Sequence, residues 1–362
     1  MGRAFSPEDA FGIRTMATIK DVAKRAGVGV ATVSRFIAAS GPVSEKTAKR
    51  ISKAIEELHY RPSHLARSLP SGRSQTIGVY MPVIHGTFYA AMLNRICMTL
   101  RENGLRMMVA VGSEPAKERE EVLQGVQFLA EHGCDGLLIM ATALKTGDIN
   151  ELLEARPHLV MLNRMVPRYR ARSFAPDHAA AGKLAAATLW DAGHRRFAAI
   201  EGNTFSLDNV ARMRGFMDEL TRRGADVARI PVVCGHFSPE GGRAAAAMLL
   251  DRNRGFTALF CASDESASGA LSHLHQAGVS VPGDVSVLGY DGLDLSGYTA
   301  PPLTTIRIPW DDICISAVHS LLNDRYGSKL PVRRAFTAEV LWRASVNVVG
   351  RVPISVHTGG KI

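Results

Sequence analysis

A small all-α head carrying a helix-turn-helix, followed by an α/β body of two doubly wound parallel-sheet lobes, is the fold class the sequence predicts. Three observations carry that expectation. Thr18 to Ile37 reads as two short helices joined by a glycine turn. From Thr76 onward, short apolar runs alternate with helical stretches in two successive series. The positive charge lies almost entirely before those series.

At 362 residues the chain has room for two or three domains, and with 46% hydrophobic residues it can bury a proper core. Of the net charge of +9, the segment from Met16 to Arg73 supplies +7, with eleven Lys/Arg against four acids; residues 1–15 balance. A basic head on a near-neutral body suggests a polyanion as partner of the head. Cys97, Cys134, Cys234, Cys261 and Cys314 are odd in number and form no CxxC pair, so free thiols and a reducing, cytoplasmic location are expected. No apolar run is long enough to span a bilayer, and residues 1–15 lack the apolar stretch of a secretory signal; they read as a mobile extension, with Met16 an alternative start.

Taken in order, Ile19, Val22, Ala23 and Ala26 form one apolar stripe. Thr18 and Asp21 make a capping-box pattern at its start, and Gly27 can take the left-handed conformation that ends it. A second helix begins near Val30, with Val33 and Ile37 inward and Val30, Ala31, Ser34 and Arg35 outward. Such a second helix enters the DNA major groove. Arg35 suits a guanine edge, and Val30 and Ala31 suit a thymine methyl. Ser44 is placed to cap a third helix with Ala48, Ile51, Ile55 and Leu58 inside. Its basic outer face (Lys46, Lys49, Arg50 and Lys53) is suited to phosphates. Residues 62–75 begin with Pro62, which suits a first helical turn, and Leu65, Ala66 and Leu69 share a face. Beyond Thr76, IGVYM, MMVAV, GLLIM and LVML make the first strand series, with helices over Phe88–Arg101 and Lys117–Glu131. FAAI, IPVVC, ALFC and VSVLG make the second.

DVAKRAGVGVATVSRF, VSEKTAKRI, HYRPSHLARSL and IGVYMP together resemble the LacI/GalR family of transcriptional regulators, and the resemblance runs in register to about Asn347. It implies a head over 16–61, a hinge helix and linker over 62–75, and an effector-binding and dimerisation domain over 76–350. That domain would have the periplasmic-binding-protein-like architecture, with Thr304–Arg307 and Val340–Arg343 as returns between lobes. Residues 351–362 form a tail without leucine heptads, so a homodimer is expected. The DNA-contacting set on this reading is Thr18, Gly29, Val30, Ala31, Thr32, Ser34, Arg35, Arg67 and Leu69, with Leu69 as a minor-groove wedge. Gly29 departs from the family's serine, and Pro70 stands where many relatives have a basic or polar residue.

Ligands of parallel α/β folds sit beyond the carboxyl ends of the strands. There the family pattern implies Phe88, Tyr89, Asn163, Arg212, Phe237, Ser263, Asp264 and Asp291 as effector contacts. Val83-Ile84-His85-Gly86-Thr87 replaces the family's usual acidic-Ile-Ser-Asn-Pro. Asp291 can accept hydroxyl hydrogen bonds, Arg212 and Asn163 can donate, and Phe237 can cover a sugar face. The residues admit a free hexose, a β-glucoside, or a sugar acid or phosphate. The expected partners are thus double-stranded operator DNA, a small carbohydrate-type effector and a second copy of the chain, with no membrane and no cofactor. An enzyme is disfavoured, because GxGxxG after a strand, GxxxxGK[ST], GxSxG and HExxH are all missing. No metal is expected, as His273-x-His275 lacks a third ligand.

Overall fold

The computed structural model describes residues 17–38, 41–60, 73–112, 118–141, 144–252 and 255–347. The expectations for residues 1–15, Pro62, Arg67, Leu69, Pro70 and the tail from 351 lie outside them. The chain divides into two compact units at Thr76/Ile77.

In the first unit, α1 (Ile19–Ala26) opens on the expected capping box, with Asp21 N donating to Thr18 Oγ1 and Thr18 N donating to Asp21 Oδ2. Gly27 closes α1 at φ 63°. α2 (Val30–Ala38) follows, and Ser44 caps α3 (Glu45–Glu57) by accepting from Thr47 N. Val22, Ala23, Ala26, Val33, Ile51 and Ala54 are buried together, with Tyr60 behind them. The inner face of α3 thus centres on Ile51 and Ala54, while Ala48, Ile55 and Leu58 are only half-buried. Arg50 is exposed as expected, and its guanidinium also donates to the carbonyls of Ala26 (2.5 Å) and Gly27 (3.0 Å), bracing the turn between α1 and α2.

The second unit holds both lobes. In lobe 1 the strands are β1 (Thr76–Met81), β2 (Arg106–Val111), β3 (Gly136–Met140), β4 (Leu159–Leu162) and β5 (Ser173–Phe174), in the order β2-β1-β3-β4-β5. The pairs β1–β3, β3–β4 and β4–β5 are parallel. α4 (Thr87–Glu102), α5 (Glu118–Glu131) and α6 (Thr146–Ala155) connect them. Lobe 2 has β6 (Phe197–Glu201), β7 (Val232–Cys234), β8 (Ala258–Cys261), β9 (Ser286–Asp291), β10 (Thr304–Arg307) and β11 (Glu339–Leu341), in the order β11-β10-β9-β8-β6-β7. All its pairs are parallel except β10–β11. Its helices are α7 (His178–Asp191), α8 (Leu207–Arg222), α9 (Pro239–Arg252) and α10 (Asp264–Gln276). The apolar runs become strands because they are buried on both faces, as parallel sheets between helices require.

The returns between lobes differ from the sequence reading. Thr304–Arg307 and the strand near Val340 are both part of the lobe 2 sheet. Between them, α11 (Trp310–Tyr326) leaves that sheet and packs against β3, β4, β5 and α4 of lobe 1. The segments flanking α11 therefore make the crossings, together with residues 175–177 between β5 and α7. One apolar cluster runs through them, joining Val79, Ile96 and Phe174 of lobe 1 to Ile306, Ile308 and Trp310 and on to Phe216 and Phe260 of lobe 2.

α7 and α8 pack closely enough that a Cβ on Gly182 would lie 2.0 Å from Arg212 O, and one on Gly215 would lie 2.0 Å from Ala179 O. The two missing side chains seat Arg212 beside α7. Gly182→Ala is expected to force the helices apart and to destabilise the body by about 1–3 kcal/mol. A thermal unfolding curve superimposable on wild type would contradict that. All five cysteines are free, with Cys261 and Cys314 buried. Among the described residues no helix is long and apolar enough to cross a membrane.

Candidate nucleic-acid interface and ligand cleft

On the head, Gly29, Val30, Ala31 and Arg35 are exposed, and Thr32 and Ser34 are half-buried. Burial of Val33 at the head's core fixes which side of α2 faces out. The Gly29 carbonyl accepts from Thr32 N and Val33 N, placing it as the N-cap residue. A side chain there would meet nothing within 4 Å. Thr18 is exposed and holds Asp21, and their hydrogen bonds keep the Asp21 carboxyl below its usual range. The remaining acids of α3 are largely matched: Glu57 pairs with Arg25 and lies 3.9 Å from Lys53, and Glu45 lies 2.8 Å from Lys49. Lys20, Arg35 and Lys46 stand outside any ion pair among the described residues, so the surface around α2 is positive.

In the body, both sheets follow the same winding order. Each strand order reverses beside the lobe's first strand, β1 or β6, and the loops leaving those strands face one another. Between them lies a cavity of about 420 Å³. Its floor is a buried polar cluster. Arg212, on α8, donates to Ala262 O, lies 3.7 Å from Asp208 Oδ2, and has its guanidinium carbon 3.6 Å from the Tyr290 ring centre and 5.5 Å from that of Phe237. Burial opposes its charge, but Tyr290, Asp291 and Asp208 hold its pKa above the ordinary value. Burial and Arg212 push His178 down to about 4, so it is neutral near pH 7.

That neutrality orders the hydrogen bonds. His178 Nε2 lies 2.8 Å from Asn163 Oδ1, an acceptor, so the ring proton belongs on Nε2. Nδ1 then accepts from Tyr290 OH at 2.8 Å. Asn163 Nδ2 donates onward to Asp208 Oδ2 at 3.3 Å. Burial opposes ionisation of Asp208, yet neighbouring His178 and Arg212 and the Ser206 hydroxyl keep its pKa low. Asn163 takes a φ of 56°, which asparagine tolerates better than most residues.

Asp291, at the end of β9, has a φ of 108° and lines the cavity. Burial raises its pKa well above the ordinary carboxylate value; Arg212 opposes this, and Asp264 and Asp208 add to it. Phe237 reaches the cavity because the chain after β7 turns through two left-handed residues, His236 (53°) and Phe237 (58°). Its ring lies over Gly202, where a Cβ would sit 2.0 Å from it.

The same architecture recurs in known proteins. Residues 18–63 match the model described as bacterial regulatory proteins, lacI family, and residues 186–346 match the periplasmic binding protein-like domain. Over 334 residues the chain is 32% identical to the HTH-type transcriptional regulator AscG of Escherichia coli, covering 91% of this chain and 98% of that protein. The chain belongs to the LacI family of bacterial transcriptional regulators. A LacI-family regulator from Burkholderia phymatum is 41% identical, with 75% of this chain and 99% of that one covered and a TM-score of 0.72. The lac repressor dimer bound to operator and the anti-inducer ONPF is 25% identical, with 92% and 100% covered and a TM-score of 0.79.

Of the residues the LacI-family resemblance implied for the effector, Phe88, Tyr89, Asn163, Arg212, Phe237, Ser263 and Asp291 line the cavity. Asp264 does not. It is fully buried, accepting from Thr305 Oγ1 at 2.5 Å and Leu293 N at 2.7 Å, and burial pushes it to about 7. Ser263 lines the wall while capping α10 by accepting from Ser266 N. Asp208, Glu265, Phe205, Asn203 and His236 also line the cavity without having been expected, and His85, from the unusual Val83–Thr87 segment, lines it too. Asp208 and Glu265 each fall in a helix's first turn, where an acid is favoured for dipole reasons alone, so their spacing carried no separate signal.

Proposed function

We propose that this LacI-family regulator is a repressor that binds a near-palindromic operator as a homodimer, and that a neutral, polyhydroxylated ligand of carbohydrate type in the interlobe cavity sets its operator affinity. The observation that carries the ligand reading is the convergence of Asp291 and Arg212 on one cavity, with the ring of Phe237 beside the guanidinium. A carboxylate takes hydroxyl donors and an aromatic face covers C–H groups, so a sugar uses both. The cavity volume is in the range usual for small-ligand sites.

Charge argues against a sugar acid or phosphate. Glu121, Asp208, Glu265 and Asp291 line the cavity, whereas among the described residues Arg212 is its single arginine or lysine and is already engaged by Ala262 O, Asp208 and Tyr290. Arg164 is not on the lining; its guanidinium reaches Leu144 O at 3.4 Å. An added phosphate would find more repulsion than compensation. The lac repressor dimer binds operator together with an anti-inducer, which supports the same division of labour here.

The test is a thermal-shift screen of the full chain with neutral mono- and disaccharides and glycosides against hexuronates and hexose phosphates. A ligand at a hundred times its dissociation constant stabilises by about 2.7 kcal/mol. A neutral sugar should raise the melting temperature and change retardation of a promoter fragment. Stabilisation by the anionic members alone would overturn the assignment.

For the head, Arg35→Ala is expected to weaken operator binding by about 1–3 kcal/mol and to relax preference at one base pair in each half-site. Thr18, Gly29, Thr32 and Ser34 are assigned backbone contacts around it. Selection from a randomised-duplex pool reads this directly. An unaltered consensus from the variant would remove Arg35 from base recognition.

A further inference from the structure

α4 begins without a cap of its own. Its N-cap residue is Gly86, with φ 84° and ψ 166° and no side chain to accept from the first turn. The missing acceptor comes from the other lobe. Glu265, in the first turn of α10, takes hydrogen bonds through Oε1 from both Thr87 N and Thr87 Oγ1, the latter at 2.8 Å. A carboxylate on a helix N-terminus combines charge-assisted hydrogen bonds with a favourable dipole interaction. Gly86 is part of the fit, because a Cβ there would lie 2.7 Å from Glu265 Oε1.

The contact ties elements that the ligand cavity separates. α4 belongs to lobe 1 and α10 to lobe 2, and Glu265 itself lines the cavity whereas Thr87 does not. A second cross-cleft tie, Asn163 to His178 and Asp208, is built on the buried floor. Thr87 is exposed and Glu265 half-buried, so water competes for this contact and it can break without unmaking the core. Thr87 stands where the family pattern has proline, which has no N–H to donate. The contact is therefore a property of this chain's own residues.

We propose that Glu265 is an interlobe clasp: by capping α4 across the cleft it holds the lobes together in the ligand-free regulator. Its bearing on ligand response rests on the cavity being the effector site, but the clasp itself is testable with no ligand present.

Thr87→Pro removes both donors at once. Proline is favoured at the first position of a helix, and the ψ of Gly86 already suits a residue preceding proline, so α4 should form normally. Glu265→Gln keeps the shape and removes the charge. Spin labels on noncanonical side chains at Glu151 of lobe 1 and His275 of lobe 2 give the interlobe distance distribution in the full chain, with singly labelled samples correcting for contributions between subunits. Each variant should raise the open-to-closed ratio about ten-fold, and the double variant no further than the larger single one, since both remove one interaction. Thr87→Val, which keeps the N–H, should fall between wild type and Thr87→Pro. If Thr87→Pro retains wild-type helicity and an unchanged distance distribution, or if the two effects add in full, the clasp is refuted. The sugar screen is a separate measurement, so either reading can fail while the other stands.

Discussion

Arg212→Ala is expected to destabilise the body by about 3–5 kcal/mol, the usual cost of removing one partner from a buried charged cluster. For a unit of this size that lowers the melting temperature by roughly 6–20 °C. The guanidinium compensates several groups at once. It lies 3.6 Å from the Tyr290 ring centre and 5.5 Å from that of Phe237, donates to Ala262 O and sits near Asp208. Without it, Asp208 loses a neighbour that keeps it ionised, and Asp291 loses the group that opposes its burial. Arg212→Lys should recover only part of the loss, because a compact ammonium cannot lay a planar face on the Tyr290 ring while donating sideways. Operator binding by the folded fraction should persist, since the head is a separate compact unit. A melting temperature within about 2 °C of wild type for the alanine variant would show that Arg212 is not the counter-charge of this cluster.

The fold was legible where local pattern and burial agree. Thr18, Asp21 and Gly27 bracket α1 because capping chemistry is written in adjacent residues. Strands such as Gly136–Met140 and Leu159–Leu162 stand out because residues buried on both faces leave an uninterrupted apolar run. β5 is only Ser173–Phe174, too short to make any pattern. The placement of α11 was equally invisible, since its apolar face does not say which lobe covers it. At the cleft, Arg212, Asp291 and Phe237 came from the family resemblance, whereas Asp264 against Glu265 turned on helix geometry. Successive side chains in a helix point about 100° apart. Here Asp264 turns to Thr305 and the backbone of Leu293, and Glu265 turns to the cleft. A strand end followed by Ser-Asp-Glu does not fix that rotation. Gly202, just after β6, and Gly86, ahead of α4, each leave room for a neighbouring group, but a glycine alone gives no hint of which ring or carboxylate will fill the space.

Asp291→Asn separates ligand recognition from folding more cleanly than any truncation. Asparagine has the same shape and is among the residues that tolerate positive φ, so the 108° backbone at this position should be retained. Removing a buried carboxylate whose ionisation burial already opposes should leave stability near wild type or above it. What is lost is the charge and one of the two acceptor oxygens, replaced by an amide group that can only donate. At about 1.5–3 kcal/mol for a hydrogen bond to a charged group, ligand affinity should fall by at least about ten-fold while operator affinity is unchanged. The same residue sets a pH dependence whose sign is fixed. In the empty cavity burial raises the Asp291 pKa; hydroxyl donors on a bound sugar favour the carboxylate and lower it again. Binding therefore releases a proton between the two pKa values, so affinity rises with pH through that window and is level above the empty-site value. His178, Asp208, Asp264 and Tyr290 also titrate nearby, but they are shared by the wild type and the variant, so the difference between the two isolates Asp291. Titration calorimetry in two buffers of different ionisation enthalpy counts the released protons. Should wild type and Asp291→Asn bind the sugar with equal affinity, or should wild-type affinity rise on acidification, Asp291 would not be the hydroxyl acceptor at the cavity floor.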